Sequence, residues 1–301
     1  MAWRCQGLRW SPGGGELVWR DGARERRSAL VYGRELGFRV VGERRCAGVR
    51  GMECPLGAVV GGRSTGGQCA DCARLDRSRS VAADTVADDP QPYTVYLAWF
   101  GPGMVKVGIT AEARGAARLL EQGAVVFTRL GRGPLMAARR TEELLRTALG
   151  VPDRVPYAAK RAVRAALPTV PAERAQEVRE LYERAVALTG WPESLERAAL
   201  EPVDHVGVFG LAGTPPVTGV IGELVDGGRV AGRLVAAAGP DLHLECGEGA
   251  LLVLDTRLLR GWELTGAATG AATGAGDGGV SVTVPVRDVA GADPVVQDGL
   301  F

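Results

Sequence analysis

The chain has 301 residues, 46% of them hydrophobic, and a formal net charge of +1. That is a globular composition with enough apolar material for two or three packed domains. No run of about 18 apolar residues exists to span a bilayer, and the opening "MAWRCQGLRWSPGGG" lacks an apolar core followed by a small-residue cleavage site, so no membrane partner and a cytoplasmic location are expected.

The small net charge hides an asymmetry. Residues 1–80 carry 15 Arg against 8 acidic residues and residues 101–164 carry 12 basic against 5 acidic, each segment +7, while 165–301 hold 9 basic against 19 acidic. The first half could face a polyanion and the second would resist one; ordinary solvated faces would give the same pattern. Of the 36 basic residues only two, Lys106 and Lys160, are lysines. The arginine bias accompanies abundant Ala and Gly, as a GC-rich genome produces, so arginine number alone says little about nucleic acid.

In chain order, "GELVWRDGARERRSALVY" alternates around Asp21-Gly22 and predicts a β-hairpin. It belongs to a β-rich module over 1–80 that also holds a cysteine-bearing, glycine-rich segment. A polar stretch ending in prolines gives a linker at 81–92. Residues 93–167 read as a compact β-β-α-β-α domain. Strands "YTVYLAWF" and "MVKVGIT" flank "GPG", a helix runs from about Glu112, "AVVFTRL" is the third strand, and "LMAARRTEELLRTALG" is an amphipathic helix stopped by Gly150. Helices over 157–167 and 172–189 lead through a helical connection (168–200) to a β-rich domain over 201–301, expected as a small barrel or sandwich with a low-complexity insertion at 265–279. "VSVTVPV" reads as a last strand. The fold class is therefore α+β.

Four of six cysteines, Cys46, Cys54, Cys69 and Cys72, fall within 27 residues. In a reducing compartment such clustering favours a metal over disulfides, because four thiolates satisfy tetrahedral zinc. Cys69-x-x-Cys72 has good ligand spacing, whereas Cys46-x7-Cys54 is longer than usual for a zinc knuckle. The alternative is four reduced thiols in a loop. The two histidines, His205 and His243, lie far away in sequence, which argues against an imidazole-bound catalytic zinc. Cys5 and Cys246 read as buried or incidental thiols.

"VYLAWFGPGMVKVGIT", followed by Arg118, "EQGA" and the cysteine pairs ending in "GGQCADC", resembles a bacterial family, domain-of-unknown-function family 2797, over roughly residues 35–160. That family looks like a distant relative of the GIY-YIG endonucleases. The resemblance implies a site of two tyrosines on adjacent strands, an arginine on the next helix and a metal-binding glutamate on a later one. Tyr96 matches the first tyrosine, Lys106 stands in place of the second, Gly108 keeps the glycine, Arg118 matches the arginine, and Glu142 or Glu143 would be the glutamate. The implied chemistry is phosphodiester cleavage with Mg or Mn.

Helix geometry separates the glutamates. Glu143 lines up with Arg139 and Arg146 and is explained by ion pairs, while Glu142 borders the apolar face and needs a partner, which makes it the ligand candidate. Lys106 would serve as a deprotonatable amine or a fixed cation; the alternative is a strand-edge lysine reaching water along its stem. Three functions follow: a metal-dependent nuclease centre beside a zinc module; the same fold without catalysis, holding DNA or RNA through Arg114, Arg139, Arg140, Arg154, Lys160, Arg161 and Arg164; or a protein-interaction scaffold.

Overall fold

The computed structural model describes residues 3–78, 89–266 and 282–289. The alternating N-terminal runs form β1 (Arg4–Ser11), β2 (Gly14–Asp21), β3 (Arg24–Ala29) and β4 (Glu35–Val41). The expected hairpin is present: β2 and β3 pair up to Asp21↔Arg24 across the Gly22 turn. After the cysteine segment comes α1 (Ala70–Ser78).

The centre of the chain runs β5 (Tyr93–Trp99), β6 (Val105–Ala111), α2 (Ala117–Gln122), β7 (Val126–Gly133) and α3 (Leu135–Leu149). It continues with α4 (Tyr157–Val163), α5 (Pro171–Val186), the short β8 (Glu196–Arg197) and β9 (Val203–Asp204), and α6 (Val206–Phe209). The helix expected from Glu112 is split, because Gly115 adopts φ +48° and ends a first 3-10 turn before α2 begins. Pro134 precedes α3, and Gly150 closes it in the left-handed conformation at φ +67°.

The C-terminal strands are β10 (Gly219–Ile221), β11 (Arg229–Ala238), β12 (Asp241–Glu245), β13 (Leu251–Asp255), β14 (Glu263–Gly266) and β15 (Val286–Asp288). "VSVTVPV" contributes only its last valine to β15 and an isolated bridge through Val282. Most of the expected linker and most of the 265–279 insertion lie outside the described residues.

Two sheets result. The central one has the order β6-β5-β7-β8, with β9 also on β7. β5 is its middle strand and is buried on both faces: Val95, Leu97 and Trp99 join the main core with Leu135, Ala138 and Leu145 of α3, while Tyr96 and Ala98 pack with Leu119 of α2 and Phe127. The other sheet has ten strands in the order β15-β10-β13-β12-β11-β4-β14-β1-β2-β3. It does not close into the expected C-terminal barrel, because β4 from the N-terminal stretch lies between β11 and β14. The β-rich stretches 1–80 and 201–301 thus share one sheet. Trp10 shows how closely they meet: its indole donates to the Gly239 carbonyl (2.7 Å) and its ring abuts Phe209 edge to face.

Candidate functional site

The four clustered cysteines converge. Their sulfur atoms all lie within 4.8 Å of one another, and Cys54 Sγ is 3.9 Å from Cys69 Sγ. Tetrahedral zinc with Zn–S bonds of about 2.3 Å would need S···S edges of about 3.8 Å, so the four thiols could hold a metal such as zinc. The chain is shaped for it. Gly48 takes φ +70°, and a Cβ there would sit 1.8 Å from the Met52 carbonyl oxygen, so only glycine permits this turn. The turn lets Gly48 N–H point at Cys46 Sγ (3.4 Å), and Cys69 N–H donates to the same sulfur (3.2 Å). Cys72 follows in the first turn of α1. Backbone N–H groups, led by that of Ala58, pull the Cys54 thiol down to about 7, whereas burial pushes Cys46 and Cys72 up, so a bound cation would have to supply the charge that ionises those two.

Apolar packing contributes little to this segment, which is held otherwise by bonds such as Gln68 to the Gly48 carbonyl (2.8 Å) and Arg20 to the Gly51 carbonyl (2.6 Å). Its apolar cluster contains only Val49, Val60 and Ala58 besides the cysteines. It is tied to the large sheet by Arg44, 1% exposed, whose guanidinium donates to the carbonyls of Gly61, Ser64, Arg257 and Arg260. Cys5 lies apart and is fully buried, its thiol pushed up to about 12 by desolvation.

The second feature is an open cleft of about 1000 Å³ over the β5–β6 edge of the central sheet. Tyr96, Lys106, Arg118 and Glu142, drawn from β5, β6, α2 and α3, all line it. Register accounts for the first two. Tyr96 pairs with Gly108 and Ala98 with Lys106, so Tyr96 and Lys106 are diagonal neighbours on one face. Gly108 is required beneath the ring, since a Cβ there would lie 2.5 Å from the Tyr96 hydroxyl. Gln122 at the end of α2 donates to that hydroxyl (3.0 Å).

Lys106 is only 8% exposed, and its Nζ donates to the Asp153 carbonyl (3.1 Å) and lies 5.7 Å from the Tyr96 ring centroid. Desolvation, followed by the nearby Arg118 guanidinium, lowers its amine to about 8, with Glu142 and Asp153 opposing. Glu142 is half-buried and makes no hydrogen bond or ion pair among the described residues; burial raises its carboxyl, and Lys106 counteracts. Glu143 is exposed and bound by Arg146 (2.7 and 2.9 Å) and Thr147 (3.1 Å). Of the two arginines that helix spacing sets beside Glu143, Arg146 is the one that pairs with it.

The arginines divide. Arg114, Arg139 and Arg154 line the cleft with Arg118, whereas Arg140 is exposed outside it. Arg161 and Arg164 are unavailable to a polyanion because they are committed inward. Arg161 forks onto Asp241 (2.6 and 3.0 Å) and reaches Asp255 (2.7 Å). Arg164, 4% exposed, binds Asp241 (2.7 Å), His243 Nε2 (3.2 Å) and the Ala238 carbonyl (3.0 Å). Lys160 borders the cleft but is 3% exposed. Its Nζ lies 3.8 Å from the Phe100 ring centroid and 4.5 Å from that of Tyr157 while donating to the Gln122 carbonyl (2.9 Å). Sequence reasoning could not separate these buried cations from surface ones, because their partners lie 38 to 94 residues away.

It also missed several contributors. Gln122 stands in the quoted "EQGA" but gave no sign that it would bind Tyr96. Arg50 and Asp76, ion-paired at 3.6 Å, bring the cysteine segment to the rim of the same cleft, and nothing in their local sequence marks this. No helix of the described residues is long and apolar enough to cross a membrane.

No curated protein and no solved structure matches the chain. The model of the family described as "Protein of unknown function (DUF2797)" matches residues 33–264. The match runs from just before β4, through the four cysteines and the cleft, into β14, and the chain belongs to that family.

Proposed function

We propose that the chain acts on DNA or RNA in the Tyr96–Lys106–Arg118–Glu142 cleft, as a GIY-YIG-like, divalent-metal-dependent phosphodiesterase, with structural zinc on Cys46, Cys54, Cys69 and Cys72. The observation that carries this reading is the convergence of those four cleft residues from four elements on one open surface, rimmed by Arg114, Arg139 and Arg154. Phosphate groups would meet guanidinium groups at the rim, and within lies Glu142, which has no hydrogen-bond or ion-pair partner among the described residues.

Glu142 would hold Mg or Mn, ions commonly bound through one or two carboxylates plus substrate oxygens, and the bound ion would offset charge building on a phosphate. Arg118 supplies a fixed positive charge for the same purpose. The Tyr96 hydroxyl already accepts from Gln122, which leaves its own proton free to point into the cleft. Burial lowers Lys106 to about 8, so at neutral pH a minor unprotonated fraction can take a proton from an attacking water while the protonated form can give one to the leaving group.

The test is cleavage of labelled single-stranded, duplex and branched DNA and RNA with Mg²⁺ or Mn²⁺. Glu142→Gln should abolish cutting and divalent binding, by calorimetry, while Glu143→Gln leaves both nearly intact. Equal effects would remove Glu142 from the role. If no substrate is cut but salt-sensitive binding is lost in an Arg114→Ala, Arg118→Ala double variant, the chain is a binding module, a reading the rim arginines also favour.

A further inference from the structure

The chain places guanidinium groups at 34 of its 36 basic positions, and both exceptions line one cleft. Lys160 is accounted for by packing. Its ammonium is enclosed between Phe100 and Tyr157 and fixed to the Gln122 carbonyl, a compact pocket that a planar guanidinium would not fill. Lys106 is also buried, 8% exposed, but it meets only one ring, at 5.7 Å from the Tyr96 centroid, and it lines the open cleft. Its amine donates to the Asp153 carbonyl, on a loop held over β6 by a second bond from Val107 N–H to the Pro152 carbonyl (3.1 Å). A fixed positive charge at this place could come from arginine, as it does elsewhere around the cleft. What arginine cannot supply at neutral pH is a nitrogen lone pair.

We infer that Lys106 is a carbonyl-capturing amine, which forms an imine with the aldehyde of a base-free deoxyribose in a DNA strand bound in the cleft. The inference rests on the nucleic-acid reading above and narrows its substrate class to strands carrying an aldehydic sugar. The Nζ lone pair adds to C1′ of the open-chain sugar, and the carbonyl oxygen takes up a proton to give a carbinolamine. Loss of that oxygen as water, with the protons that Nζ gives up, leaves the C=N bond. Amine and aldehyde thus yield imine and water, with no oxidant, reductant or metal involved. The protonated imine acidifies the C2′ proton. Its transfer to water lets the C2′ electron pair form a double bond to C3′ as the 3′ phosphate departs, and hydrolysis then returns the amine.

The surroundings suit this step. Burial and Arg118 lower the amine to about 8, and Arg114, Arg118 and Arg154 line the cleft, the first two paired with Glu121 (2.5 and 3.6 Å) and the third near Asp153 (3.9 Å), so flanking phosphates would exchange for those carboxylates. The flanking phosphates and the aldehyde therefore demand different residues of the same cleft.

The experiment uses the full chain with its bound metal, no added Mg²⁺ or Mn²⁺, and an oligonucleotide carrying one abasic site, with borohydride to reduce any imine to a stable adduct. Because Lys106, Lys160 and the α-amino group are the only amines, peptide mass mapping assigns the adduct directly. The expected result is an adduct on Lys106, formed without added divalent metal, that falls at least about tenfold in Lys106→Arg, while that variant still binds the oligonucleotide on filters. Adduct on Lys160 or the α-amino group, an unchanged yield in Lys106→Arg, or no adduct from a protein that binds the oligonucleotide overturns the inference. If the chain binds no nucleic acid, the reading under Proposed function fails separately. Reduction with 2-deoxyribose 5-phosphate then decides the amine's role, and the absence of a Lys106 adduct there also overturns the inference.

Discussion

At Gly108 the absence of a side chain sets the geometry of the cleft. The Tyr96 ring lies over this residue, and an added Cβ would meet the tyrosine hydroxyl at 2.5 Å and Cζ at 2.7 Å. Gly108→Ala should therefore displace the ring, break its bond to Gln122 and cost about 1–3 kcal/mol, measured by denaturant unfolding. In a Tyr96→Ala background the same substitution should cost far less, and a strictly additive double-mutant cycle would show that the two residues do not compete for the space. The glycine was visible in "KVGIT", and its pairing with Tyr96 follows from strand register. Gln122, by contrast, reaches Tyr96 from 26 residues away, and only the folded turn after α2 brings the two together.

Among the elements, α4 depends most on distant chain. Arg161 and Arg164 on its last turn and the residue after it grip Asp241, fully buried on β12, while Asp255 at the end of β13 is shared with Arg257. Asp241→Asn leaves two buried guanidinium groups short of a counter-charge and should cost about 3–5 kcal/mol in unfolding experiments. The cluster also predicts acid sensitivity. His243 accepts from Arg164 at Nε2, and burial followed by that guanidinium lowers its imidazole from 6.5 to about 3. Between those values the unfolded chain binds a proton that the native state refuses, so stability falls as pH drops from about 6.5 toward 3. For Asp241 desolvation pushes upward, but Arg164 and Arg161 together outweigh it and lower the carboxyl, so its stabilisation is lost only below its unfolded value near 3.8. His243→Phe should flatten the upper part of that profile, and an unchanged slope between pH 6.5 and 4 would count against this account.

The cysteine segment is the opposite case, an element whose fate the local sequence already discloses. Spacing alone pointed to the four thiols, because ligands crowd where apolar residues are few. Purified protein should carry about one zinc, lost in Cys69→Ser and Cys72→Ser. Since the segment's apolar cluster is separate from the main core, chelation should open residues 46–78 to proteolysis while amide protection in β5 and β7 persists. Zinc-free wild type, or full zinc in both variants, would end the assignment.

For the whole molecule, what the sequence could not disclose is which strands pair. Alternation identified strands at both ends of the chain, but a two-residue period carries no information about partners. The barrel expectation kept the C-terminal strands to themselves, whereas β11 and β14 take β4 between them. A chain ending at residue 200 should consequently be insoluble or lack native protection in residues 3–41, by hydrogen exchange, since β4 loses both neighbours. A soluble 1–200 fragment with a protected β4 would contradict the mixed sheet as a folding unit.

That interleaving has a consequence for how the protein is made. Roughly two hundred residues separate Glu35 from Arg233, its register partner, and a ribosome adds about 5–20 residues per second, so β4 waits roughly 10–40 s for β11 and longer for β14. For most of that interval a nascent strand with two open edges hangs beside a cysteine segment that is already complete. Metal capture there can precede the sheet by many seconds, giving the growing chain one settled anchor while its first strands are still exposed to chaperones or to other nascent chains.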